Sequence, residues 1–260
     1  MNLGIKVYVQ SAGLSNEFDY SWQSNIDQKP PKEILGLINT DSESALYFRS
    51  PENDCLALTS LNSTFLQRCD FSGSPIRNAV IWSVEKSHQH KLLYLLSRFL
   101  LDKLELEIEI DKYITSTSES KSGFLPEYGA LVNLAKCDGF QATSIHADSK
   151  DERRLVTKDC LGNRKLYLER LNSMVIKSDV SGALFLLKKY DSLKDFEKNN
   201  TKFGVWLGLS SLLDGEEELK SHQKKSMIEN ERNPQKTKFD PEQILKVGKQ
   251  AVNWGWEMVK

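Results

Sequence analysis

The sequence of 260 residues predicts an α+β fold. Through the first third of the chain, short runs alternate apolar and polar residues and are separated by turn residues, a pattern typical of an antiparallel sheet. At 87–103 the spacing of the leucines becomes helical, and the apolar surface is broad enough to pack across that sheet. We therefore expect an N-terminal antiparallel sheet packed by a long apolar helix, a mixed α/β C-terminal half and a terminal amphipathic helix.

Two alternating runs begin the chain. Residues 5–9 and 18–22 each place an apolar side chain at every second position, which predicts two strands. Pro30 and Pro31 then precede the segment EILGLIN, at 33–39, which predicts a short helix.

Two hairpins are predicted next. The runs 45–50 and 55–61 flank Pro-Glu-Asn-Asp, and the runs 65–71 and 76–84 flank Ser-Gly-Ser-Pro. The last of these runs is apolar on both faces, so we expect it at the centre of the sheet. Arg77 and Asn78 in that run would then need hydrogen-bond partners inside the protein.

The C-terminal half mixes helix and strand patterns. Residues 128–139 predict a short helix, and residues 151–171 predict a hairpin around Leu-Gly-Asn. Residues 181–199 fit either a helix capped by Asp179 or a strand, with the helix favoured, and the type of 202–213 stays open. The predicted hairpin would gather a small basic patch: Arg153, Arg154, Lys158, Arg164 and Lys165.

The pattern predicts three parts. Residues 1–213 form one globular body, with a possible subdivision near the Ser/Thr-rich stretch at 115–126. Residues 214–239 are dense in charge and nearly free of large apolar groups, which indicates a linker. Residues 240–260 predict an amphipathic helix that starts at Asp-Pro.

Composition narrows the class of protein. With 39% hydrophobic and 27% charged residues and a net charge of −1, the chain has ordinary globular composition and no overall basic field for nucleic acid. No apolar run approaches the roughly 20 residues that span a bilayer. The four cysteines lie far apart without a Cys-x-x-Cys pair, so we expect free thiols, a cytoplasmic location and no cofactor.

The segment LELEIEID, at 104–111, alternates four apolar residues with four carboxylates. A strand would space these carboxylates roughly 6.6–6.8 Å apart along one face. A helix would place them in two pairs one turn apart: Glu105 with Glu109, and Glu107 with Asp111. Because metal sites for hydrolysis need carboxylates that converge from different elements, we interpret the segment as the solvated face of an amphipathic element.

The terminal helix carries the candidate binding residues. Its apolar stripe recurs every three or four residues, which is typical of a recognition helix that docks into a partner protein. The stripe consists of Ile244, Val247, Ala251, Trp254 and Met258. Two alternatives stay open: the helix folds back onto its own body, or it lies on a membrane surface.

The sequence contains no nucleophile elbow, phosphate-binding glycine loop or Cys/His cluster with metal-ligand spacing. We therefore favour a non-catalytic protein-interaction or regulatory subunit, such as an adaptor in a heteromeric cytosolic complex, with the terminal helix as its docking element. The alternative is a metal-dependent, nuclease-like hydrolase that uses the carboxylates of 105–111.

Overall fold

The computed structural model describes residues 4–14, 17, 19–63, 65–117, 122–137, 154–177, 181–188 and 206–210. All of them belong to one compact unit that spans Met1–Glu218. The tail stripe predicted at 240–260 and the linker predicted at 214–239 lie outside the described residues. Within the stretch 115–126, where a subdivision was predicted, residues 118–121 also lie outside them.

Strands and helices are both present, which confirms the α+β class. The strands are β1 (Lys6–Ser11), β2 (Ser21–Ser24), β3 (Ser44–Arg49), β4 (Asn53–Asn62), β5 (Arg77–Glu85), β6 (Ile114–Ser116), β7 (Phe124–Pro126), β8 (Arg154–Lys158), β9 (Gly182–Leu187) and β10 (Trp206–Ser210). The helices are α1 (Lys32–Leu35), α2 (Gln89–Leu101), α3 (Lys103–Lys112), α4 (Tyr128–Asn133) and α5 (Leu161–Lys177).

Eight strands form the main sheet in the order β2-β1-β5-β4-β3-β9-β10-β8. The pairs from β2 through β9 are antiparallel, and β9, β10 and β8 are parallel to one another. The N-terminal strands therefore form the predicted antiparallel sheet, although β1 lies beside β5 rather than at the end of a simple meander. A separate two-stranded sheet pairs β6 with β7.

The central position predicted for β5 is confirmed. It lies between β1 and β4, and its residues from Asn78 to Val84 are all buried. Trp82 faces the helices, and its indole N–H donates to the carbonyl of Leu131 over 3.0 Å. Ile81 faces the opposite layer. The strand is apolar on both faces because both faces of the sheet are covered.

Helices cover the two faces unequally. The leucine stripe of α2 is buried against the sheet, as predicted from its spacing, and α3, α4 and α5 contribute to the same core. On the other face, the short α1 buries Ile34 against Leu46 and Ile81 in a smaller core. The larger helical layer therefore lies on one face of the sheet, and the short α1 lies on the other.

The hairpin predicted at 151–171 is wrong in its second arm. Residues 154–158 form β8, but α5 begins at Leu161 and includes the Leu-Gly-Asn that had suggested a turn. Within α5 the buried apolar residues are Tyr167, Leu168, Leu171 and Val175. This spacing follows the period of a helix, so burial against α2 decides the conformation. Over residues 154–177 the hairpin that was expected to gather the basic residues is therefore replaced by a strand and a helix, and Arg153 lies outside the described residues.

Two further predictions are corrected. Gly182–Leu187 is a strand rather than the start of a helix, because it lies between β3 and β10 with every residue buried. Residues 65–71 do not form a strand either. β4 itself reaches Asn62 and pairs with β5, which leaves 63–76 as a loop between them.

Among the described residues, no helix combines the length and the apolar character that crossing a membrane requires.

Candidate protein interaction surface

The loop at 63–76, here called the β4–β5 loop, displays large apolar side chains. Phe65 is 53% exposed, Leu66 41% and Phe71 69%. An isolated exposed apolar residue is ordinary, but three within one short loop form a patch of the kind that marks interaction sites.

A buried carboxylate on α3 holds the base of this loop. The Asp111 side chain is fully buried and accepts hydrogen bonds from the backbone N–H groups of Phe65 and Leu66, over 3.0 and 2.7 Å. It also accepts the Ser63 hydroxyl at 2.8 Å. Charge-assisted bonds of this kind are the stronger hydrogen bonds of proteins, so the two exposed residues have a fixed backbone beneath them.

Arg68 completes the anchor from within the loop. Its guanidinium is buried and lies 3.1 Å from the Asp111 carboxylate. It donates further to the hydroxyl of Ser116 on β6, over 2.8 Å, and to the side-chain oxygen of Asn78 on β5, over 3.2 Å. Burial lowers the pKa of Arg68, and the Asp111 carboxylate opposes that shift. The loop is therefore bonded to three separate elements.

The tip of the loop has its own internal bonds. The Asp70 carboxylate accepts hydrogen bonds from the backbone N–H groups of Ser72 and Ser74, over 2.8 and 3.0 Å. A hydrogen bond from the Ser72 hydroxyl lowers the pKa of Asp70. Gly73 takes a φ of +81°, which glycine adopts at low energetic cost. Phe71 is thus presented on a closed turn.

Two further exposed apolar residues lie at the same end of the sheet. Tyr20, which precedes β2, is 41% exposed, and its hydroxyl accepts the backbone N–H of Arg77 over 3.0 Å. Leu14, which follows β1, is 54% exposed. The ammonium of Lys112 lies 4.9 Å from the ring centroid of Phe65. We call the set of exposed apolar residues the loop surface: Leu14, Tyr20, Phe65, Leu66 and Phe71.

The loop surface exposes on the order of 500 Å², taking typical areas for large apolar side chains. Patches of roughly 300–600 Å² are the largest that ordinary monomers expose, and they are often functional. Aromatic residues with few rotatable bonds are the usual energetic centres of protein interfaces. This arrangement suits non-covalent recognition of another apolar surface.

The acidic segment at 104–111 is helical, and its carboxylates divide between two faces. Glu109 points outward and pairs with Arg98 of α2 at 2.8 Å. Glu107 and Asp111, one turn apart, are both buried, so their interpretation as solvated charge is wrong. Glu107 accepts the backbone N–H of Asn62 at 3.2 Å. Glu107 therefore binds backbone at the end of β4, and Asp111 binds backbone in the loop that follows β4.

The same contacts bear on the alternative of a metal-dependent hydrolase. Both oxygens of Asp111 accept protein donors. Within the ranges that the structure describes, no three His, Cys, Asp or Glu side chains are grouped so that they could hold a metal ion. None of the described contacts favours the hydrolase over a binding role.

The residues of the loop surface were not predicted as site residues. The run 65–71 was interpreted as a strand, although its apolar residues at 65, 66 and 71 do not alternate. This missing alternation was the one feature of the sequence that argued against a strand at 65–71. The anchoring role of Asp111 depends on contacts with residues more than 40 positions away in sequence, which no local pattern encodes.

No family model matches this chain, and comparisons with curated proteins and with solved structures found no match.

Proposed function

We propose that this protein is a non-catalytic protein-interaction or regulatory subunit of a heteromeric cytoplasmic complex. The observation that supports it is the β4–β5 loop, in which Asp111 fixes the backbone beneath Phe65 and Leu66 while their side chains remain exposed. A loop that is already ordered loses less conformational entropy on binding, so more of its contact energy appears as affinity.

The occupant that we propose is a single apolar segment of a partner protein, such as one helix or strand. A standard interface buries about 800 Å² on each partner, and the loop surface offers on the order of 500 Å². That area is small for a stable dimer of this chain, but it is sufficient for a short segment with two or three anchoring side chains.

The terminal helix is proposed as a second docking element. The sequence supports it through the apolar stripe Ile244, Val247, Ala251, Trp254 and Met258, which follows a charged segment. Two separate contacts with one complex would raise the overall affinity through effective concentration.

The cytoplasmic part of the proposal has independent chemical support. Three cysteines in the described part of the chain carry free thiols: Cys55, Cys69 and Cys160. Free thiols persist in reducing compartments, whereas oxidising ones favour disulfides.

The loop surface is tested with Phe65→Ser and Phe71→Ser combined in the full chain. Both side chains are exposed, so the melting temperature should change by no more than a few degrees. Proteins that co-purify with the native chain from its source should be depleted at least tenfold by the double variant. The matched control is Leu161→Ser on α5, which also removes an exposed leucine. Retention of every co-purifying protein by the double variant would overturn the role of the loop.

The terminal helix is tested by removing residues 240–260, with Trp254→Ala as the point variant. We expect a folded body that has lost its partner, because the stripe supplies anchors outside the body. A truncated chain that melts many degrees lower would instead show that the helix covers its own core. A stable truncation that keeps every partner would contradict the docking role.

A further inference from the structure

A second feature lies at the opposite end of the central strands from the β4–β5 loop. An open cavity of about 730 Å³ is formed where β1 and β4 begin and β5 ends. Ile26 contributes apolar surface to its lining, and Ile5 borders it from within the buried core. Small-molecule sites typically have volumes of roughly 300–1,000 Å³ and combine apolar walls with a few polar groups.

Four charged side chains line this cavity: Lys6, Lys86, Glu52 and Glu85. None of them makes an ion pair within 4.0 Å with another residue in the described ranges. The cavity therefore presents two ammonium groups and two carboxylates that are not neutralised by one another.

The walls that carry these charges are ordered. Lys6 of β1 is paired with Ser83 of β5, and Asn53 of β4 is paired with Glu85. Glu52 lies in the tight turn before β4, where the Asn53 N–H donates to the Ser50 hydroxyl over 3.1 Å. Side chains on paired strands and a closed turn keep their relative positions better than side chains on long loops.

We propose that this cavity binds a small zwitterion of the size of a short peptide. The carboxylate of the ligand would bind Lys6 and Lys86, its ammonium would bind Glu52 and Glu85, and its apolar middle would cover Ile26. A simple anion would also face the two glutamates, and a simple cation would face the two lysines, so each would meet like charge. Only a ligand with both charges complements all four groups.

The test uses trialanine in four forms and the full-length protein. Titration calorimetry should detect binding of the peptide with both termini free. Blocking either end, by N-acetylation or by C-terminal amidation, should weaken binding at least tenfold, because each block removes one charge. Absence of binding by the free peptide, or equal binding of all four forms including the doubly blocked one, would overturn the proposal.

Side-chain variants then assign each end of the peptide. Glu85→Gln should weaken binding of the free peptide several-fold and reduce the penalty of N-acetylation, since the same interaction has been removed. Lys86→Met should likewise weaken binding of the free peptide several-fold and reduce the penalty of C-terminal amidation. The matched control is Lys165→Met, an exposed lysine on α5 that does not line the cavity. Equal affinities across these variants would contradict the assignment.

The two proposed sites can be separated experimentally. Phe65→Ser with Phe71→Ser changes the loop surface and leaves the cavity residues untouched, so trialanine should bind that variant as it binds the native chain. If the cavity fails to bind trialanine, the partner-binding role of the loop surface is unaffected. If the loop variant keeps every partner, the peptide-binding role of the cavity is unaffected.

Discussion

Trp82 occupies the centre of the sheet, with its ring fully buried and its indole N–H bonded to the carbonyl of Leu131. Trp82→Ala should lower the free energy of unfolding by about 3–5 kcal/mol, because it creates a cavity and leaves a carbonyl without its donor. Urea unfolding measures this change. Trp22→Ala, on the half-buried edge strand β2, is the comparison and should destabilise less. A loss below about 1 kcal/mol at Trp82 would contradict its central position.

Asp111→Asn tests the anchor of the β4–β5 loop. The substitution keeps the shape of the side chain but leaves Arg68 as a buried cation without its counter-charge. We expect a loss of about 3–5 kcal/mol in unfolding free energy, the usual result of removing one member of a buried pair. Limited proteolysis should also cut within 63–76 sooner than in the native chain.

The control for that experiment is Glu109→Gln, also on α3. Glu109 forms a partly exposed pair with Arg98, and such pairs contribute about 1 kcal/mol or less. A loss of similar size in both variants would show that Asp111 has no special role in holding the loop.

Thiol reactivity should differ sharply among the cysteines. Burial raises the pKa of the Cys55 thiol to about 11, so the reactive thiolate is scarce at neutral pH and also inaccessible. Cys69 and Cys160 are exposed. Iodoacetamide should label those two in the native protein within minutes, followed by mass spectrometry, while Cys55 should react only after unfolding. Rapid native labelling of Cys55 would contradict its buried position in the sheet.

Some residue roles could be predicted from the sequence and others could not. Arg77 and Asn78 of β5 were expected to need hydrogen-bond partners, and the structure supplies them in part. The Arg77 guanidinium donates to the carbonyl of Asp41 and the hydroxyl of Ser60. The Asn78 side-chain oxygen accepts from Ser11 and Arg68, while its amide nitrogen is buried without a partner among the described residues. In contrast, the burial of Glu107 and Asp111 depends on which face of α3 meets the end of β4. The local alternation of LELEIEID contains no information about that contact.

Among the elements, those with a clear period or with turn residues at their ends were predicted well. β1 shows period two and α2 period 3.6, whereas β3, β4 and β5 are apolar runs that turn residues delimit. β9 was not predicted as a strand, because its sequence GALFLL is apolar throughout. A strand buried on both faces and a fully buried helix can both have such a sequence. The pairing of this segment with β3 and β10 stabilises it as a strand rather than a helix.

Arg49 connects α5 to the sheet. Its guanidinium bonds to the carboxylate of Asp54 in the β3–β4 hairpin, to the side chain of Gln89 and to the carbonyl of Val175 near the end of α5. Arg49→Lys cannot reproduce the two-pronged contact with Asp54 and reach α5 as well. We expect about 3 kcal/mol of destabilisation.

Amide hydrogen exchange locates that effect. If Arg49 fixes α5, exchange in Arg49→Lys should accelerate in the last turn of α5 more than in β5. The conservative comparison is Arg98→Lys, whose guanidinium is partly exposed and forms the pair with Glu109. Uniform acceleration across the whole sheet would show that Arg49 contributes to global stability rather than to the position of α5.

At the scale of the whole molecule, the fold class was accessible but the strand order was not. The positions of β9 beside β3, and of β8 at the far side of β10, depend on pairings between segments that are distant in sequence. Hydrophobic period reports which residues are buried, not which strand lies next to them. The same limit applies to the cavity, whose four charges come from three separate segments of the chain.

The strand order also sets the sequence of events during synthesis. β1 to β5 and α1 to α3 lie within residues 6–112, so they can pair while the ribosome is still making the second half. During that interval the outer side of β3 has no neighbour, because β9 is translated later. An uncovered strand edge is a template for pairing with another chain. Nascent chains stalled before Gly182 should therefore self-associate, and chains stalled far enough beyond Ser210 for β9 and β10 to have left the ribosome should not. Crosslinking between the nascent chains of stalled complexes would detect the difference.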